Sequence, residues 1–155
     1  MAVALRYIFN RSEKVRDWVS AMLGTEKIGN DMYAAIGFVE DEELVAGAIY
    51  HDFKGHSVEI SFAATTPKWC SLKSGRVVLN YPFEQLGVER LQAITAKSNK
   101  AARSFLERAG FVYEGKARRG FNGKEDAMIY SMLKEEAEKW AVPQYRHPHH
   151  LIPMQ

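Results

Sequence analysis

The sequence predicts an α/β fold (α+β by some schemes), a mixed sheet with helices packed on it. Three observations lead there. Short strand-like runs recur along the chain, several of them bounded by glycine or acidic turns. Two stretches of near-helical period, 71–87 and 99–109, each fall between strands and can serve as crossovers. Asn122-Gly123, between two late strand-like runs, is the strongest short signal for a hairpin.

Each element follows from its local pattern. VALRYIF (3–9) suits a strand. SEKVRDWVSAML (12–23) sets Val15, Trp18, Val19 and Leu23 on one helical stripe, with Ser12 as N-cap and Gly24 as stop. Residues 24–31 read as a loop. MYAAIGFVE (32–40) and ELVAGAIYH (43–51) flank the acidic turn at Asp41 and Glu42, and SVEISFAAT (57–65) follows a turn carrying Gly55. Antiparallel neighbours are the simplest arrangement for these three.

SLKSGRVVLNYPFEQLG (71–87) brings Leu72, Leu79, Phe83 and Leu86 near helical period, with Gly87 as the stop. Gly75 weakens such a helix by about 1 kcal/mol, and Pro82 removes a donor and should kink it. VERLQAITA (88–96) is a strand, and the next helix carries Ala102, Phe105, Leu106 and Ala109 on one side. FVYEGKARR and DAMIYSML are strands bracketing GFNGKE, and KEEAEKW (134–140) closes the domain as a charged, solvated helix. The order is β-α-β-β-β-α-β-α-β-β with a final helix. Residues 1–140 are expected to form one domain, and the proline-broken stretch 141–155 a loosely ordered tail.

A chain of 155 residues can bury roughly 68–70% of its unfolded surface, enough for one core. Its 46% hydrophobic and 26% charged content argues against disorder away from the ends. The net charge of +2, with cations scattered among acids, offers no stripe for nucleic acid. No run approaches about 18 apolar residues, and MAVALRYIFNRSEK lacks a basic leader with a long apolar core. The single Cys70 excludes an internal disulfide, and a soluble, cytoplasmic protein is expected. Oligomeric state is open, a dimer included.

The element order, with NKAARSFLERAGFVYEG in its second half, resembles the GNAT superfamily of N-acetyltransferases. Asn99, two spacers, a small residue, a short helix and Gly-Phe form the shared pattern. Glu114-Gly115 and Arg118 continue it, as in the branch that acetylates ribosomal-protein termini, which LNYPFEQLGVERLQAITAKSN also resembles. The likeness spans 57–133 well and the N-terminal third by element order. TPKWCSLKSGRVVLNYPFEQLG is most similar to small acetyltransferase-like proteins of phages and prophages, for which a host cytoplasm is implied. The resemblance implies a mostly antiparallel sheet of six to seven strands, flanked by helices, with acetyl-CoA (coenzyme A) as cofactor and an amine as acceptor.

What the resemblance implies for residues is specific. The family holds the cofactor diphosphate on a glycine-rich loop at a helix start, where backbone N–H groups and the helix dipole meet it. Here that loop is TPKWCS, with Trp69 in place of the first glycine and Ser71 at the second, Cys70 between them. Lys68 and Lys73 are compensating cations. Ala63, Ala64 and Thr65 would pair with the pantetheine arm as an added strand, and core packing explains their small size equally well. Asn99, with Ala102 and Arg103 one turn on, would contact the cofactor. Asn before a helix is also a favoured N-cap, and Arg103 also reads as an ordinary surface arginine.

Acetyl transfer from a thioester needs a base, because an amine with a pKa near about 10.4 is protonated at neutral pH. Glu59 sits where histone-type relatives keep that base. A carboxylate walled by apolar neighbours has its pKa raised towards neutrality, whereas the plainer reading is a solvent-facing Glu on an alternating strand. The family's acid, a tyrosine, falls at Leu106, leaving Tyr113 and Tyr130 as substitutes. Cys70 has no histidine partner near in sequence and reads as a packed thiol. The stretch HPHH (147–150) lacks ligand partners at useful spacing, so no metal is expected.

Two functions result. The first is an acetyl-CoA-dependent N-acetyltransferase acting on a primary amine of a protein or small molecule. Its acceptor would enter between the 24–31 loop and the 118–124 hairpin, with Arg118, Arg119 and Lys124 favouring an acidic one. The second is a phage-type, acetyltransferase-like protein that docks on a host protein with little or no catalysis. Trp69 and the missing tyrosine favour the second, Glu59 the first.

Overall fold

The structure, a computed structural model, describes residues 6–8, 13–26, 28–29, 32–65 and 72–140, with only the backbone of 6–8, 72 and 73. Ser12, the loop 66–71 and the tail 141–155 lie outside the described residues.

The chain runs through β1 (Arg6–Ile8), α1 (Glu13–Met22), β2 (Ala34–Glu40), β3 (Glu43–His51) and β4 (Ser57–Ala64). It continues through α2 (Leu72–Glu84), β5 (Arg90–Ala96), α3 (Lys100–Ala109), β6 (Val112–Ala117) and β7 (Ala127–Leu133). A 3₁₀ helix, Lys134–Trp140, stands where a closing α-helix was expected. It is pinned by contacts and has little apolar face: Ala137 is buried, Asn80 Nδ2 donates to the Trp140 carbonyl, and Trp140 Nε1 donates to the Ala109 carbonyl at 3.0 Å.

The seven strands form one sheet in the order β1-β2-β3-β4-β5-β7-β6. Neighbours are antiparallel except β4 and β5, which are parallel and joined by the crossover α2. Helix α1 packs on one face over Ala35 and Ile49 through Val15 and Val19, while α2 and α3 cover a larger core around Phe38, Tyr50 and Leu91. Leu23, expected on the buried stripe of α1, is instead 41% exposed, because the helix ends at Met22 and Gly24 turns the chain at φ +67°.

Helix α2 absorbs both of its unfavourable residues. A Cβ on Gly75 would meet the Trp140 indole at 3.0 Å, so glycine makes room for that ring. Pro82 lies inside the helix without ending it. In a regular helix the N–H of residue 82 donates to the Val78 carbonyl; proline has none, and the Tyr50 hydroxyl donates there instead.

Helix α3 begins at Asn99, whose side chain accepts from Ala102 N at 3.0 Å, and ends at Gly110 with φ +103°. The β6–β7 hairpin is present, but its connection covers 118–126, wider than GFNGKE. Asn122 Oδ1 accepts from the backbone N–H groups of Lys124 and Glu125 at 2.9 and 2.8 Å, which builds an Asx turn rather than a tight hairpin turn.

Candidate active site

The parallel β4–β5 ladder is short. Ser57–Ile60 pair with Arg90–Ala93, and there the pairing stops. Beyond it, Ser61–Ala64 remain paired with β3 and Ile94–Ala96 with β7. The sheet therefore parts between its two central strands. A cavity of about 900 Å³ opens at this gap, walled by residues of both sheet faces: Glu59, Ser61 and His51 on the α1 side, and Ile60, Phe62 and Leu106 on the other.

Glu59 stands on the cavity wall at the last turns of the ladder, its side chain 18% exposed. Burial raises its carboxyl pKa above the ordinary value, while His51 and a hydrogen bond from Gln92 pull it back. Gln92 Nε2 donates to Glu59 Oε1 at 3.2 Å. The amide is oriented from behind, because Arg90 Nη2 donates to Gln92 Oε1 at 2.8 Å. Arg90 is itself held in a two-pronged pair with Glu114, at 2.6 and 2.9 Å. Side chains on β6 and β5 thus fix the direction of a carboxylate on β4.

His51 was given no role by sequence reasoning, which weighed histidines only as a partner for Cys70 and, at HPHH, as metal ligands. It is directly opposite Glu59 in the β3–β4 ladder, with Nε2 at 3.8 Å from Oε2. The same Nε2 shares a 2.8 Å hydrogen bond with Ser61 Oγ, and Nδ1 lies 3.3 Å from Asp52 Oδ2. The signal was available in the hairpin 43–51/57–65: once its register is known, His51 must face Glu59.

The other expected residues divide. Asn99 and Ala102 line the cavity, and Asn99 caps α3 as well. From β4 the lining is Glu59, Ile60, Ser61 and Phe62, whereas Ala63, Ala64 and Thr65 lie just past it. Thr65 turns its N–H and hydroxyl to the Val45 carbonyl, at 2.8 and 3.2 Å. Arg103 does not line the cavity; its guanidinium donates to the Tyr130 hydroxyl at 3.2 Å and the Lys97 carbonyl at 3.3 Å.

Tyr130 is fully buried, stacks edge-on with Tyr113 and donates to Glu107 at 3.3 Å, so neither tyrosine faces the cavity. Leu106 does. Lys68, Trp69, Cys70 and Ser71 lie outside the described residues, as does the side chain of Lys73 and the HPHH stretch. Arg118, Arg119 and Lys124 are exposed and not part of the lining; the hairpin loop presents Gly120, Phe121 and Asn122 instead.

Known proteins resemble this chain in sequence and in fold. The acetyltransferase (GNAT) domain family matches residues 4–112. YjcK of Bacillus subtilis, named as a candidate N-acetyltransferase, is 30% identical over 107 residues, 67% of this chain and 58% of its own. YdaF of the same organism, named provisionally as a ribosomal N-acetyltransferase, is 42% identical over 66 residues, 41% of this chain and 36% of its own. The matches thus span less than two thirds of either relative. Among solved structures, one described as an acetyltransferase shares 30% identity at a TM-score of 0.59, covering 67% of this chain and 62% of that one. The spermidine/spermine N-acetyltransferase SpeG of Vibrio cholerae superimposes at a TM-score of 0.70 over 90% of this chain and 100% of its own. At 14% identity that likeness concerns the fold alone. This chain belongs to the GNAT acetyltransferase family.

Proposed function

We propose that the chain is an acetyl-CoA-dependent N-acetyltransferase that acts on a primary amine, with Glu59 as its base. The observation that carries this reading is the parted sheet. The pairing of β4 with β5 ends at Ile60 and Ala93, and the cavity that opens there contains a carboxylate whose pKa is raised by burial.

The gap fits the pantetheine arm of the cofactor. An extended amide chain can run along β4 beyond Ile60, where the ladder to β5 has ended, with Asn99 and Ala102 at the facing helix start. Lys68 through Ser71 and Lys73, at the start of α2, are assigned to the diphosphate by sequence alone. Acetyl-CoA, when bound, supplies an activated acyl carbon on a thiol leaving group, so that a C–N bond replaces the C–S bond.

The chain's own part is proton management and orientation. An amine arrives as its ammonium form and must lose a proton before its lone pair can react. Gln92 engages Glu59 Oε1 and leaves Oε2 to receive that proton. The raised carboxyl pKa brings Glu59 closer to the pH at which it works, which is what a general base requires. Leu106 occupies the place of the family's acid tyrosine, and no tyrosine is among the described lining residues.

Calorimetry with acetyl-CoA, followed by a thiol-release assay over a panel of amines, tests the proposal. Binding and amine-dependent thiol release are expected. Absence of binding at millimolar cofactor overturns it and leaves a non-catalytic docking role.

A further inference from the structure

The acceptor side of the cavity carries chemistry of its own. The end of α1, the following loop and the β6–β7 connection contribute Leu23, Ile28 and Phe121 to its lining. Leu23 and Phe121 are 41% and 45% exposed, two large apolar side chains held open to solvent at one cavity. His51 and Glu59 are the ionisable groups among the described lining residues.

We infer that the acceptor is a primary monoamine whose nitrogen is attached to an apolar body, aromatic or branched. This rests on the acetyl-transfer reading of the same site. One ammonium group is matched by one carboxylate, Glu59, at the inner end. The apolar body then covers Leu23, Ile28 and Phe121, which removes their exposed surface from water. A polyamine would bring a second ammonium group against the same apolar side chains, where the described lining has no second carboxylate to meet it. An acidic acceptor meets the same difficulty with opposite sign.

Arg118, Arg119 and Lys124, the cations expected to favour an acidic acceptor, stand outside the lining. Asn122 Oδ1 is already occupied by two backbone N–H groups of its own turn. The loop therefore offers the cavity the Phe121 ring rather than a charge. The likeness to a spermidine acetyltransferase, at 14% identity, is one of fold.

Calorimetric titration of the full chain, in the presence of coenzyme A, with 2-phenylethylamine, spermidine and the dipeptide Asp-Glu tests the inference. 2-Phenylethylamine is expected to bind at least about tenfold more tightly than either of the others, the scale on which a pocket discriminates by an apolar group. Phe121→Ala should erase most of that preference, and Phe121→Glu should turn it towards spermidine. A tripeptide beginning with phenylalanine distinguishes a free amine from a chain terminus, since the two share this chemistry. Equal or reversed affinities, or no binding of 2-phenylethylamine, overturn the inference. Tight binding without thiol release leaves the class of ligand standing and removes both the catalytic reading and the ligand's part as acceptor.

Discussion

His51 and Glu59 are cross-strand partners whose side chains meet at 3.8 Å inside the cavity. A carboxylate beside an imidazole is easier to ionise, and His51 pulls the Glu59 pKa down against the larger effect of burial. Removing His51 should therefore raise it. In His51→Gln, the acidic limb of the kcat/KM profile is expected to move to higher pH. Gln92→Leu, which deletes the hydrogen bond to Oε1, should move it the same way. Carbon-13 NMR of the Glu59 carboxyl reads the shift without catalysis. A limb that stays in place in both variants shows that Glu59 does not set it.

Glu59→Gln should separate activity from stability. Loss of a general base costs roughly 10²- to 10⁴-fold in kcat. The folded-state pKa of Glu59 lies above its unfolded value, so the folded protein holds the extra proton between the two. Stability then falls as pH rises through that window, and above it the ionised carboxylate is a cost the folded state carries. Glutamine keeps an acceptor for Gln92 and removes the charge. The variant is expected to melt higher than the parent at neutral pH and to lose that advantage in acid, as followed by thermal unfolding across pH.

Local signals foretold most of the fold. The order of strands and helices, the Gly24 and Gly87 stops and the antiparallel run from β2 to β4 all follow from spacing and turn chemistry. The site was harder because it depends on register. Alternation in SVEISFAAT marks which residues share a face, but not that the ladder to β5 ends at Ile60. The same gap hid His51, since which residue faces Glu59 depends on how the 52–56 turn is built. The Gln92 and Arg90 supports are remote from Glu59 in sequence and meet it only through the parallel β4–β5 pairing. The 118–124 stretch was equally hard to place: Phe121 lines the cavity, and Arg118, Arg119 and Lys124 lie outside the lining.

Two strand glycines set how closely α1 lies on the sheet. A Cβ on Gly37 would fall 2.7 Å from Val15 Cγ2, and one on Gly47 would fall 2.6 Å from Val19 Cγ2. Both distances are below contact, and Val15 and Val19 are fully buried with no room to retreat. Gly37→Ala and Gly47→Ala are each expected to cost roughly 1–3 kcal/mol, the usual scale of overpacking. Denaturant unfolding measures it, and pairing Gly47→Ala with Val19→Ala should recover part of the loss.

Tyr50 and Pro82 should be energetically coupled although neither touches the reacting groups. The Tyr50 hydroxyl reaches the Val78 carbonyl, the group that a residue with an N–H at 82 would have satisfied. Tyr50 is almost fully buried, and burial holds its phenol pKa well above the ordinary value, so it remains a donor throughout the working pH range. Tyr50→Phe leaves that carbonyl without its donor and should cost about 1–3 kcal/mol. Pro82→Ala restores an N–H at the position aligned with Val78, so the same Tyr50→Phe change should cost much less in that background. A double-mutant cycle by denaturant unfolding gives the interaction directly. A cycle that closes to zero would mean that the hydroxyl does not replace the proline's missing donor.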